Sequence, residues 1–185
     1  MALLKMLRTM KSKLVILDAN VIIDCHRNEV WKQIISSYEI YIPATIFYDE
    51  AKYFVSKNTD EKKDINLSQD KDHGKIKVIE AEISHIQNLK TFIKDDFFES
   101  IDPGEREAIA LLKSGHYDDY VFCTGDKAAI RALTILDLSF QGISLEKLLK
   151  DASIKFEKFK PNYSESEFKK QQGKGLQEKN FLLKP

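Results

Sequence analysis

The chain has 185 residues, 43% hydrophobic and 31% charged, with 7 glycines and 4 prolines; this excludes a disordered, collagenous or low-complexity protein and fits one packed domain with or without a tail. Its 29 basic residues balance 29 acidic ones, so nucleic acid can be bound only through a local patch. Cys25 and Cys123 sit in apolar stretches without CxxC or Cys/His ligand spacing, which argues against a disulfide scaffold or a zinc site and for a reducing cytoplasm.

Residues 1–12 lack the apolar length and cleavage site of a signal peptide and read as an N-terminal extension. No window reaches the roughly 18 apolar residues that a membrane helix needs. Lys13 to Leu17, KLVIL, has no alternation, as expected of a strand covered on both faces of a parallel sheet. Asp18 or Asn20 can cap the helical pattern NVIIDCHRNEVWKQIISSY that follows. Tyr38 to Ile42 reads as a second strand ending at Pro43, and ATIFYDEAKYFVSK as a second helix with Ile46, Tyr53 and Phe54 near one face.

Lys57 to Lys75 is almost wholly polar and is expected to be an exposed loop. IKVIEA gives a third strand, and the next segment puts Ile83, Ile86, Leu89, Phe92 and Ile93 on one helical stripe. Pro103 and Gly115 bracket the helix EREAIALLKSG. YVFC at Tyr120 to Cys123 is a buried-strand run before the helix KAAIRALTIL, and Leu138 to Phe140 can add a fifth strand. The alternation predicts an α/β fold, a three-layer α/β/α sandwich with a central, mainly parallel sheet of four or five strands. It occupies residues 13–150, and residues 151–185 read as a polar C-terminal tail or docking arm.

Open α/β sheets bind ligands beyond the carboxyl ends of their strands. Asp18 ends the first strand and Asp126 follows the later strand YVFC, so both carboxylates are expected at one sheet edge. Glu50 lies beside Phe47 and Phe54, and Glu107 precedes the apolar run AIALL. Acids at core-facing positions are costly unless paired or metal-bound, and no lysine or arginine obviously pairs with them. Oxygen-only donors favour Mg²⁺ or Mn²⁺, and His26, His73, His85 and His116 show no ligand spacing.

These segments resemble those of the PIN-domain nucleases, among them the toxin ribonucleases of toxin and antitoxin pairs. The likeness covers roughly Lys13 to Leu149 and is carried by LDANVIID, IPATIFYDEA, DPGEREAIALL and YVFCTGDKAAI. It implies a Mg²⁺- or Mn²⁺-dependent site lined by Asp18, Glu50, Glu107 and Asp126 that cleaves RNA to 3′-hydroxyl and 5′-phosphate ends, with Asn20 and Thr124 at supporting polar positions. The third acid is glutamate here, where much of that family has aspartate. Glu105 competes with Glu107 for the role, and Glu107 is favoured because it directly precedes AIAL.

The bland alternatives are helix caps at Asp18 and Asp126 and a first-turn acid at Glu105 or Glu107. Asp24 is read as solvated or pairing rather than ligating, Arg106 and Lys127 as ordinary surface pairs rather than phosphate contacts, and the cysteines as small hydrophobes. The expected activity is that of a metal-dependent endoribonuclease, with RNA as substrate and an antitoxin protein or a second copy of the chain as possible partners. Its rivals are a non-catalytic PIN-like protein-binding module and a phosphohydrolase of small nucleotides. GxxxxGK[ST], GxGxxG and GxSxG are absent, which argues against nucleotide-binding and serine-hydrolase chemistry.

Overall fold

The computed structural model describes residues 13–57, 59–156 and 159–184; the expected N-terminal extension lies outside them. In chain order the elements are β1 (Leu14–Leu17), α1 (Ala19–Arg27), α2 (Trp31–Ser37) and β2 (Glu39–Pro43). A π-helical turn (Ile46–Glu50) leads to β3 (Tyr53–Val55), β4 (Lys62–Asp64), α3 (Leu67–Asp72) and β5 (Ile76–Ile79). Then follow α4 (Ile83–Phe92), α5 (Asp95–Glu99), α6 (Pro103–Lys113), β6 (Tyr120–Cys123), α7 (Lys127–Ile135), β7 (Gly142–Ile143), α8 (Leu145–Asp151) and α9 (Glu165–Leu182).

Five strands form one parallel sheet in the order β5-β2-β1-β6-β7. The chain winds outward from β1 in one direction through β2 and β5, and in the other through β6 and β7. A crevice therefore opens between the carboxyl ends of β1 and β6, where the winding reverses. Pleating sends alternate residues to opposite faces. Val15, Leu17, Ile40 and Ile42 pack with α1, α2 and α8, while Ile16, Tyr41 and Phe122 pack with α4 to α7. The sheet is thus the middle of three layers. Ile16, Leu17, Ile22 and Ile42 are fully buried, each contributing about 2 kcal/mol of apolar transfer energy.

Five expected features differ in the structure. The segment after β2 is helical only over Ile46–Glu50, and Tyr53 and Phe54 belong to β3 instead. The polar stretch expected as a loop completes an antiparallel hairpin, Tyr53 opposite Asp64 and Val55 opposite Lys62, and then forms α3. Lys62 Nζ lies 3.6 Å from the Tyr53 ring centre, a contact no hydrophobic periodicity records. The fifth strand is Gly142–Ile143, not Leu138 to Phe140; Phe140 is 74% exposed. On α4, Leu89 is buried but Ile83 is 74% exposed, so the apolar stripe is only partly covered.

The fifth difference is the C-terminal segment, which is no free tail. Ser164 caps α9 by accepting from Glu167 N, and the helix packs along α7. Phe168 is buried against Gly142 and Leu133. At Gly175 an added Cβ would stand 2.9 Å from Thr134 Cβ and 3.0 Å from Arg131 O, so the two helices approach through the missing side chain. Arg131 closes the contact with Glu178 at 3.0 Å. Among the described residues no helix is long and apolar enough to cross a membrane.

Candidate functional site

Three helices begin at the crevice, and an acid is used in capping each of them. Asp18 caps α1, its Oδ1 accepting from Asn20 N at 3.4 Å. Asp126 caps α7, its Oδ1 accepting from Ala128 N at 2.6 Å and Ala129 N at 3.0 Å. Glu105, in the first turn of α6, reaches back to the N–H of the N-cap residue Asp102 with Oε2 at 3.4 Å. Each cap fixes one oxygen of its carboxylate and thereby aims the other.

For Asp18 and Glu105 those second oxygens meet at Thr124. Thr124 Oγ1 stands 3.0 Å from Asp18 Oδ2 and 3.5 Å from Glu105 Oε1, and it accepts from Asp126 N at 3.0 Å. A hydroxyl has one proton, so Thr124 can satisfy only one of the two acids at a time. Asp18 and Glu105 are 2% and 1% exposed, and among the described residues neither has an ion-pair partner. Burial is the largest cause pushing the Asp18 carboxyl up to about 7, reinforced by the charges of Asp126 and Glu50 and opposed by the bonds from Thr124 and Asn20. Burial, then the charges of Asp18, Asp126 and Asp102, pushes Glu105 up to about 10. The two cannot both ionise here without a counter-charge beyond the three helix dipoles.

Glu50 stands at the rim. Its Oε1 accepts from Gly104 N at 3.0 Å, and a Cβ on Gly104 would stand 2.6 Å from Glu50 Oε2 and closer still to Ile46 Cγ1. The glycine is required because the π-helical turn and α6 meet at this point. Burial raises the Glu50 carboxyl above its ordinary range, opposed by the Gly104 bond and reinforced by the charges of Asp102, Asp49 and Glu107.

Glu107 occupies a different place from the ligand position expected of it. Oε2 accepts from Thr45 N at 2.8 Å and Oε1 from Ala81 N at 3.0 Å. Its 3% exposed carboxylate therefore ties the segments after β2 and β5 to α6. Glu105, the competitor in sequence, is the acid that reaches Asp18. Asp24 is a pairing residue: Oδ1 accepts from Arg27 at 2.5 Å, and Lys160 Nζ stands 3.2 Å from Oδ2. Arg106 pairs with Glu99 at 2.9 Å.

The C-terminal segment supplies residues that sequence reasoning passed over. Lys160, Asn162 and Tyr163 join Asn20, Asp126 and Lys127 around a depression of about 310 Å³ beside the acids. Asn162 Nδ2 donates to Gly125 O at 3.3 Å. Tyr163 is 2% exposed and so close to Gly125 that a Cβ there would stand 2.6 Å from its ring. The signal was the KPNY sequence inside an otherwise polar stretch, a proline turn ending in an aromatic.

The donor set at the crevice is oxygen only, and buried carboxylates short of cations suit a hard divalent ion. As the side chains stand, among the described residues no three acidic, histidine or cysteine groups converge on one point. Asp18 and Glu105 supply a pair, with Asp126 and Glu50 adjoining it. No family model, curated protein or solved structure matches this chain.

Proposed function

We propose that the protein is a metal-dependent ribonuclease of the PIN-like kind, acting at the crevice between β1 and β6. The observation that carries this reading is the buried Asp18 and Glu105 pair, which shares one hydroxyl donor and has no ion-pair partner among the described residues. Asp18, Glu105 and Asp126 would hold Mg²⁺ or Mn²⁺, with Glu50 completing the set from the rim. In this assignment Glu107 is a positioning residue, bracing the backbone that carries Glu50.

A bound hard ion supplies a water of lowered pKa and a positive charge beside the scissile phosphate. The chain's own residues do the rest. The capped oxygens keep Asp18, Glu105 and Asp126 from turning away from the crevice. Thr124 fixes the plane of the Asp18 carboxylate and the Asp126 backbone together. Lys127 and Lys160, in the wall of the adjoining depression, offer cations to the phosphate oxygens of an RNA strand, and Asn20 and Asn162 offer amides.

Labelled single-stranded RNA, single-stranded DNA and mononucleotides, incubated with the full chain in Mn²⁺ or in chelator, test the reading. Cleavage of RNA with Mn²⁺ alone, lost in Asp18→Asn and Glu105→Gln, is the expected result. Hydrolysis confined to mononucleotides would instead identify a phosphohydrolase of small nucleotides. Undiminished cleavage by Asp18→Asn would remove the acids from the reaction.

A further inference from the structure

α1 carries the Asp18 cap at one end and Arg27 at the other, and a second cavity opens at that far end, roughly 13 Å along the helix axis at 1.5 Å per residue. It encloses about 430 Å³ between α1 and the β3–β4 hairpin, with His26, Arg27, Phe54, Lys57 and Lys63 in its walls. Glu29 is the acid among its lining residues, so cations prevail. The Arg27 guanidinium is aimed by Val55 O at 3.2 Å and Asp24 Oδ1 at 2.5 Å, and Lys57 Nζ by Asn28 Oδ1 at 2.5 Å.

Two rings in these walls, His26 and Phe54, belong to an aromatic stack with Trp31, which lines a neighbouring cavity. The His26 ring stacks on Trp31 at 4.8 Å and on Phe54 at 6.0 Å, with 26° between planes in both pairs. His26 Nε2 is buried without a hydrogen-bond partner among the described residues, and such a nitrogen is costly unless something polar reaches it. Lys160 links the two places: it lines the depression beside Asp126 and stands 3.2 Å from Asp24, which in turn holds Arg27. Lys127 and Lys160 thus line the depression and Arg27, Lys57 and Lys63 the cavity, with the buried Asp24 joining the two groups through Lys160 and Arg27.

We propose that this cavity is a subsite for one nucleotide of a single-stranded RNA, with Arg27, Lys57 and Lys63 facing a phosphate and the Phe54 and His26 rings facing a base. The choice of RNA rests on the ribonuclease reading, whereas the pairing of cations with stacked rings is independent of it. Cations along a groove with aromatic faces between them are the means by which single strands are held without sequence readout. A cavity of about 430 Å³ is in the size range of small-ligand sites and has room for one unstacked nucleotide.

Trp31 is the only tryptophan in the chain, and its stacking on His26 makes its fluorescence a reporter of occupancy. The full chain carrying Asp18→Asn, without added metal, is titrated with a short oligouridylate. The expected result is a saturable change in Trp31 emission. Lys57→Ala with Lys63→Ala should weaken binding about tenfold and reduce the slope of log affinity against log salt by about 0.7, one phosphate contact. Lys169→Ala with Lys170→Ala on α9, a charge-matched control, should change affinity less than about twofold. Equal weakening by both double variants, or no change in Trp31 emission, overturns the proposal. Metal-dependent RNA cleavage with unaltered affinity in the Lys57 and Lys63 variant would sink this subsite and spare the acid site. Lysine-dependent binding by a chain that cleaves no RNA would do the reverse.

Discussion

Replacing Asp18 with asparagine should stabilise the metal-free protein at neutral pH, although the position is buried and hydrogen-bonded. Folding moves the Asp18 carboxyl from its ordinary 3.8 to about 7. The folded state therefore holds that proton more tightly than the unfolded chain does. Its contribution to stability is complete below about pH 4 and is lost as pH rises toward 7. A shift of about three units corresponds to an upper limit of about 4 kcal/mol at 1.36 kcal/mol per unit. Asparagine keeps an acceptor for the Asn20 N–H alone; its amide N–H₂ stands where an oxygen accepted from Thr124 and needs an acceptor of its own, at a cost of about 1 to 3 kcal/mol. The net gain at pH 8 is then about 1 to 3 kcal/mol, and near pH 4 the variant should be no more stable than the parent. Urea unfolding in chelator, followed by circular dichroism at several pH values for both proteins, gives the difference profile. His26, which burial pushes down to about 4, favours the folded state above its ordinary value and loses that contribution as pH falls. It does so in both proteins and cancels. The Glu105 carboxyl, relieved of the Asp18 charge, adds in the same direction as Asp18. A difference that stays flat between about pH 4 and pH 8, or a variant less stable at pH 8, would show that the Asp18 carboxyl is not raised by folding.

Glu107→Ala orphans the Thr45 and Ala81 amides and should cost about 2 to 5 kcal/mol of unfolding free energy, whereas Glu105→Gln should be neutral or stabilising; denaturant midpoints distinguish them. Gly104→Ala should displace Glu50 and Ile46 and lower Mn²⁺-dependent cleavage more than it lowers thermal stability, read by parallel activity and melting measurements. Phe168→Ala empties a buried site between α9 and the sheet and should cost about 3 kcal/mol, which a free tail would not show. Cys25 and Cys123 are buried, and burial raises both thiols; a thiol reagent should react with neither until the chain is unfolded.

Much of the fold was legible because its strands are buried on both faces. β1 and β6 are unbroken apolar runs, and α6 is bracketed by Pro103 and Gly115, so the α/β/α layering and the shared sheet edge of Asp18 and Asp126 followed from pattern alone. The hairpin and α9 were not legible because much of what holds them is not apolar. β4 is wholly exposed, with a cation over a ring, and α9 meets α7 through Gly175 and an Arg131–Glu178 pair. The choice between Glu105 and Glu107 was beyond the sequence for a geometric reason. Residues two apart on a helix point to different faces, and which face turns to the crevice depends on how α6 is seated. The apolar run after Glu107 marked a core-facing position correctly, but there backbone amides satisfy the carboxylate. Glu105 looked like an ordinary first-turn acid, and its capping bond with Asp102 is what directs its free oxygen toward Asp18.

Uptake of a hard divalent ion by the acids of the β1–β6 crevice is read by calorimetric titration of the full chain with Mn²⁺ at pH 8, alongside Asp18→Asn and Glu105→Gln. The parent chain should show a saturable site, with release of protons from the Asp18 and Glu105 pair, and both variants should bind markedly more weakly. Equal binding by all three proteins, or none by the parent, would contradict it.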